Sequence, residues 1–146
     1  MHCIERKFTF EAAHTLSCLE DGHPCKSIHG HSYKCFIKIY AYKLDDDGFI
    51  IDFNRLKDFQ KEVIDKELDH SVIVGQKEQE NFYINTIKQK VHILPKEFPT
   101  STVENLSKYI HDKLIDFFKS IKFTNYYRIR VKLFETEKNC AYYDGV

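Results

Sequence analysis

The chain has 146 residues, with 22 Lys plus Arg balanced by 22 Asp plus Glu, and it is 42% hydrophobic and 30% charged. This size suits one domain spanning residues 1–146, and a content of 5 Gly and 3 Pro excludes collagenous, low-complexity and disordered classes. With no net charge to attract phosphates, nucleic acid is not an expected partner, and no apolar run approaches the roughly 18 residues of a membrane span.

The opening Met1 to Lys7 lacks an apolar leader, so a cytoplasmic location is expected. Five cysteines, an odd number without an export signal, argue for reduced thiols over a disulfide framework. From Cys3 to His14 apolar residues alternate with polar ones: Ile4, Phe8, Phe10, Ala12 and His14 share one parity, the period of a half-buried strand. Thr15 to Ile28 is a polar loop. A second alternation opens at His29 and runs through Tyr33, Cys35, Ile37 and Ile39. Asp45-Asp46-Asp47-Gly48 is turn chemistry, after which Phe49 to Ile51 is expected to pair briefly with a neighbour.

Asp52 suits an N-cap, and Phe53, Leu56, Phe59, Val63 and Ile64 predict a helix to about Leu68. Between Ser71 and Pro99 the pattern is ambiguous, with a short helix expected near Glu80 to Lys88 and a short strand at Val91 to Leu94. Ser101 and Glu104 form an S-x-x-E capping box for a second helix, whose stripe runs from Val103 to Ile121. Tyr127, Ile129, Val131 and Leu133 predict a third strand, and Cys140 to Tyr143 a fourth. The expectation is an α+β fold: an antiparallel four-stranded sheet with the two main helices on one face. Its other face would carry Lys34, Lys38, Arg128, Arg130 and Lys132, as a solvated surface or, through the sheet edges, a place for copies of the chain to assemble.

His29-Gly30-His31 projects two imidazoles from one side of a strand, and His14 ends the preceding strand. In an antiparallel pair all three rings fall at the same end of the sheet, on the helix-covered side. Three histidines with an open fourth position suit catalytic Zn2+. For any single histidine the simpler reading is a hydrogen-bonded core residue. A closed structural site drawn from Cys18, His23, Cys25 and His29 competes, although those spacings match no common finger pattern. Cys25 lies four residues before His29, where positive charge from Lys26 and a metal favours a thiolate able to serve as base or nucleophile; a second-rank metal ligand and an idle surface thiol are equally open readings. Asp69-His70 could tune a histidine, but adjacent side chains in regular structure diverge. Glu135 continues the buried parity of Leu133, so it is either exposed at the strand end or a carboxylate awaiting a ligand with paired N–H donors.

Phe10-Glu11-Ala12-Ala13-His14, Cys25 followed by His29-Gly30-His31-Ser32-Tyr33, Leu68-Asp69-His70, Pro99-Thr100 through Glu104-Asn105-Leu106, and Phe134-Glu135-Thr136 occur in this order along the chain. Together they resemble the 6-pyruvoyltetrahydropterin synthase superfamily. The C-x-x-x-H-G-H spacing is similar to its bacterial branch, the 6-carboxy-5,6,7,8-tetrahydropterin synthases of the queuosine (7-deazaguanine) pathway. The resemblance implies a tunnelling fold (T-fold), a homo-oligomer with active sites between subunits, and a small-molecule pterin substrate, 7,8-dihydroneopterin triphosphate. It implies a lyase that releases acetaldehyde and triphosphate, with Zn2+ on His14, His29 and His31. It also implies Cys25 as the proton-abstracting base, acid/base roles for Asp69 and His70, and Glu135 and Thr102 as substrate-binding groups. The runner-up readings are triphosphate elimination without carbon–carbon cleavage, giving a 6-pyruvoyl product, and a non-catalytic zinc or pterin-binding module. Ser71 to Thr100 is longer than the corresponding stretch in compact members, which bears on substrate entry and subunit contacts.

Overall fold

Strict alternation produces the two longest strands. In β1 (His2–His14), Phe8, Phe10, Ala12 and His14 are buried; in β2 (His29–Ala41), Tyr33, Cys35, Ile37, Ile39 and Ala41 are buried. They pair antiparallel in a register that sets His14 opposite His29 and Ala12 opposite His31. The computed structural model describes residues 1–81 and 89–145. The short helix expected near Glu80 to Lys88 lies beyond residue 81 outside the described residues, and Gln76–Asn81 form a 3-10 turn.

Two short strands extend the sheet beyond β1. β3 (Ser71–Val74) runs parallel to β1, with Ala12 against Ser71, and β4 (Val91–Ile93) runs parallel to β3. β5 (Arg128–Phe134) pairs antiparallel with β2, and β6 (Cys140–Gly145) with β5. The sheet is therefore six-stranded and mixed, in the order β4-β3-β1-β2-β5-β6, which corrects the expected four-stranded antiparallel sheet. β3 carries no alternation to mark it: Val72-Ile73-Val74 is a continuous apolar run in which Ile73 and Val74 are fully buried, the pattern of a parallel strand covered on both faces. Phe49 to Ile51 form no strand. Asp45 instead ties that turn together by accepting from the backbone of Asp47 and Phe49, Gly48 takes a left-handed φ of 86°, and Ile50 and Ile51 drop into the core. Tyr127, expected at the start of the third strand, lies outside β5 and is exposed.

Two helical stretches cover one sheet face. α1 (Phe53–Phe59) starts at Asp52, which accepts from Asn54 N at 2.8 Å, and continues as a π-helical segment over Gln60–Leu68 that closes with Asp69 N donating to Ile64 O. Leu56, Phe59, Val63, Ile64 and Leu68 face the sheet core. α2 (Val103–Ser120) buries Leu106, Ile110, Leu114, Phe117 and Phe118. Its N-cap is Thr102, which accepts from Asn105 N, and not Ser101 as the capping-box pattern predicts. The Ser101 hydroxyl is taken elsewhere, by the buried carboxylate of Glu78. Glu104 remains in the first turn, where its charge suits the helix dipole. On the opposite sheet face Lys34 pairs with Glu137, Lys38 with Glu5, and Arg128 and Arg130 both with Asp144. No helix of the described residues is long and apolar enough to cross a membrane.

Candidate metal and acid–base site

His14, His29 and His31 converge at the end of the β1–β2 pair, as their shared parity predicts. His14 Nδ1 lies 2.8 Å from the carbonyl of Ser101, and His29 Nδ1 lies 2.8 Å from that of Ser27. A carbonyl only accepts, so in each ring Nδ1 carries the proton and Nε2 is left with a lone pair. The lone pairs of His14 and His29 face one another at an Nε2–Nε2 distance of 3.1 Å, and His31 Nε2 also lies 3.1 Å from His14 Nε2. Two lone pairs at that separation attract nothing unless a proton or a cation stands between them.

A proton is disfavoured at this place. Burial lowers the His14 pKa to about 4, with His29 and His31 adding to the shift and the Ser101 bond opposing it. His31 is lowered too, by burial first, against the pull of Glu135. Imidazole nitrogens about 2.05 Å from a tetrahedral Zn2+ lie about 3.3 Å apart, close to the spacing seen here. The donor set therefore fits a divalent transition metal such as Zn2+, held through three Nε2 atoms with carbonyls fixing two of the tautomers. Among the described residues these three are the group whose ligand atoms meet, all within 4.8 Å of one another. The alternative set of Cys18, His23, Cys25 and His29 does not converge, and His23 Nδ1 instead accepts from Cys25 N.

Glu135 stands just beyond the end of β5, and its side chain turns into the site. Its Oε1 lies 3.4 Å from His14 Nε2 and 3.5 Å from His31 Nε2, with the side chain 19% exposed. This excludes a simply solvated strand end and leaves a partly buried carboxylate able to accept from a ligand. Beneath the histidines, Tyr33 stacks on Phe10 and meets His14 and His31 edge-on. Its hydroxyl is buried without a hydrogen-bond partner among the described residues.

Asp69 and His70 do meet, against the expectation that neighbouring side chains diverge. His70 takes a left-handed φ of 56°, which turns its ring back so that Nδ1 lies 2.8 Å from Asp69 Oδ2. The pair is fastened to β1 on both sides of one residue: Glu11 N donates to Asp69 Oδ1 at 2.9 Å, and His70 N donates to Glu11 O at 2.6 Å. Burial raises the Asp69 carboxyl, but the Glu11 N–H, His70 and Lys90 together outweigh it and hold the pKa below the ordinary value. His70 and His31 line one surface depression with Glu11 and Ser32. Cys25 sits half-buried in the turn Pro24–Lys26, whose backbone is held beside the end of β1 by Leu16 N donating to Cys25 O and Thr15 Oγ1 donating to Lys26 O. Its thiol is not among the converging ligand atoms. Thr102 follows the residue whose carbonyl holds His14, and its hydroxyl caps α2.

The backbone acceptors at Ser27 and Ser101 and the carboxylate of Glu78 have no counterpart in the sequence reading. Carbonyls leave no side-chain signature, and Glu78 lies in a stretch without clear periodicity.

Comparison with known proteins points to one family. A family model described as 6-pyruvoyl tetrahydropterin synthase matches residues 3–146. The chain is 34% identical over 137 residues to the 6-carboxy-5,6,7,8-tetrahydropterin synthase of Rickettsia conorii, covering 92% of this chain and 94% of the relative. It is 33% identical over 120 residues to the protein of that name from Haemophilus influenzae, covering 78% and 82%. Among solved structures it is similar to 6-pyruvoyl tetrahydropterin synthase from Plasmodium vivax, with a TM-score of 0.75 at 20% identity and 99% of each chain covered. At that identity the likeness is one of fold.

Proposed function

Since the chain belongs to the 6-pyruvoyl tetrahydropterin synthase family, we propose that it is a zinc-dependent lyase converting 7,8-dihydroneopterin triphosphate and water to 6-carboxy-5,6,7,8-tetrahydropterin, acetaldehyde and triphosphate. The observation that carries this reading is the convergence of three Nε2 atoms, two of them on rings whose Nδ1 proton is fixed by a carbonyl. The name shared by the relatives at 33–34% identity favours the carboxy product and, with it, a place in queuosine and 7-deazaguanine synthesis in the cytoplasm.

In this reading His14, His29 and His31 hold Zn2+, which when bound polarises the hydroxyl oxygens of the substrate side chain and stabilises negative charge on them. Glu135 anchors the pterin: a carboxylate accepting from the 2-amino group and the adjacent ring N–H makes two parallel charge-assisted hydrogen bonds, which fix the ring in its plane. Thr102 and its backbone hold the far side of the ring at the start of α2. Cys25, on the turn fastened to Thr15 and Leu16, removes a proton from a side-chain carbon. His70 exchanges protons at the substrate from the other side, its Nδ1–H held by Asp69 so that Nε2 faces outward for transfer. The His70 side chain is 77% exposed, and Ile28 beside His29 is 53% exposed. Both await cover, and a second copy of the chain supplies it, consistent with the outer edges of β4 and β6 that no described strand pairs.

The test is anaerobic incubation of zinc-loaded protein with 7,8-dihydroneopterin triphosphate, followed by mass spectrometry and an acetaldehyde assay. Acetaldehyde with a 6-carboxy pterin is the expected outcome. A 6-pyruvoyl product without acetaldehyde refutes the carbon–carbon cleavage, and no turnover by folded, zinc-occupied protein refutes both reactions.

A further inference from the structure

The segment between β3 and α2 carries a buried carboxylate that is linked to His14 through Ser101. Glu78 is fully buried. Its Oε2 accepts from Gly75 N at 2.7 Å and from Ser101 Oγ at 2.8 Å, and its Oε1 accepts from Ser101 N at 3.0 Å. Ser101 in turn offers its carbonyl to His14 Nδ1 at 2.8 Å. The same serine is thus gripped by Glu78 through its amide and hydroxyl while it orients a metal ligand through its carbonyl.

The surrounding contacts leave Ser101 little freedom. Gln76 N donates to Phe98 O and Lys77 N to Pro99 O, so the turn bearing Glu78 is laced to the strand of chain that leads into Ser101. Gly75 approaches Thr100 so closely that a Cβ there would stand 2.4 Å from the Thr100 Cα. All three partners of Glu78 are neutral, and among the described residues it forms no ion pair. A buried carboxylate without a countercharge is costly, and a cation held close by would offset that cost.

We propose that Glu78 is a positioning residue of the metal centre: through Ser101 it fixes the orientation and tautomer of His14, and its buried charge favours the bound cation. This rests on the reading of the three histidines as a metal site. A carboxylate that only pinned the loop would leave metal affinity alone once the fold was intact, whereas outer-shell partners of metal ligands commonly contribute about 10–100-fold in affinity.

Competition with a chromophoric chelator, at native circular dichroism, compares Zn2+ affinity in wild type, Glu78→Gln and Ser101→Ala, and the visible spectra of the Co2+-loaded proteins report ligand geometry. Glu78→Gln is expected to bind Zn2+ about 10–100-fold more weakly with an altered Co2+ spectrum. A folded Glu78→Gln with wild-type affinity and spectrum overturns the proposal. Should Glu78→Gln fail to fold, Ser101→Ala decides, because it removes only the hydroxyl bond and keeps the carbonyl to His14: several-fold weaker binding supports the role and unchanged binding overturns it. Failure of the metal reading looks different, since wild type itself then takes up neither ion, and the proposal falls with it.

Discussion

The depressed pKa of His14 has a measurable consequence for the metal-free chain. His14 moves from 6.5 to about 4 on folding, so the folded state holds fewer protons than the unfolded one at any pH between those values. For a group depressed in this way the stability is fully present above pH 6.5 and is lost as the pH falls towards 4. The loss attributable to His14 is negligible at pH ~7.5, about 1.4 kcal/mol at pH ~5.5 and about 2.6 kcal/mol at pH ~4.5. The assay is urea unfolding in chelator at those three pH values for wild type and His14→Asn, since the difference between them cancels the titration of the carboxylates. His14→Asn starts less stable, having lost packing and the bond to Ser101, and gains on wild type by those amounts as the pH falls. A difference that stays constant across the three pH values would refute the assignment of a buried, neutral His14, and with it the argument that only a cation can satisfy the facing lone pairs.

Two substitutions probe the site and its supporting layer. Cys25→Ala should lower turnover about 10²–10⁴-fold while pterin binding, followed by fluorescence, changes little; retained turnover would remove Cys25 from the proton transfer. Gly75→Ala drives a methyl group into the Thr100 backbone, so thermal unfolding should show a loss of about 1–3 kcal/mol, and wild-type stability would mean that the Gly75–Thr100 contact opens at no cost.

The part of this protein that the sequence by itself determined is the part governed by local period. Alternation placed β1, β2 and most of β5, and so it put His14, His29 and His31 on one face before any pairing was known. The same parity singled out Glu135, a carboxylate on an apolar face. What only the tertiary structure decided lies where no period exists. β3 is a short apolar run whose identity as a strand depends on finding the free edge of β1, and the bond between Asp69 and His70 depends on a left-handed φ secured by Glu11. Ser101 reads as a helix cap until Glu78, 23 residues away, claims its hydroxyl and leaves the cap to Thr102. Side-chain direction along a strand follows from backbone geometry at each residue, whereas the partner of a buried polar group is chosen by whichever distant segment packs against it.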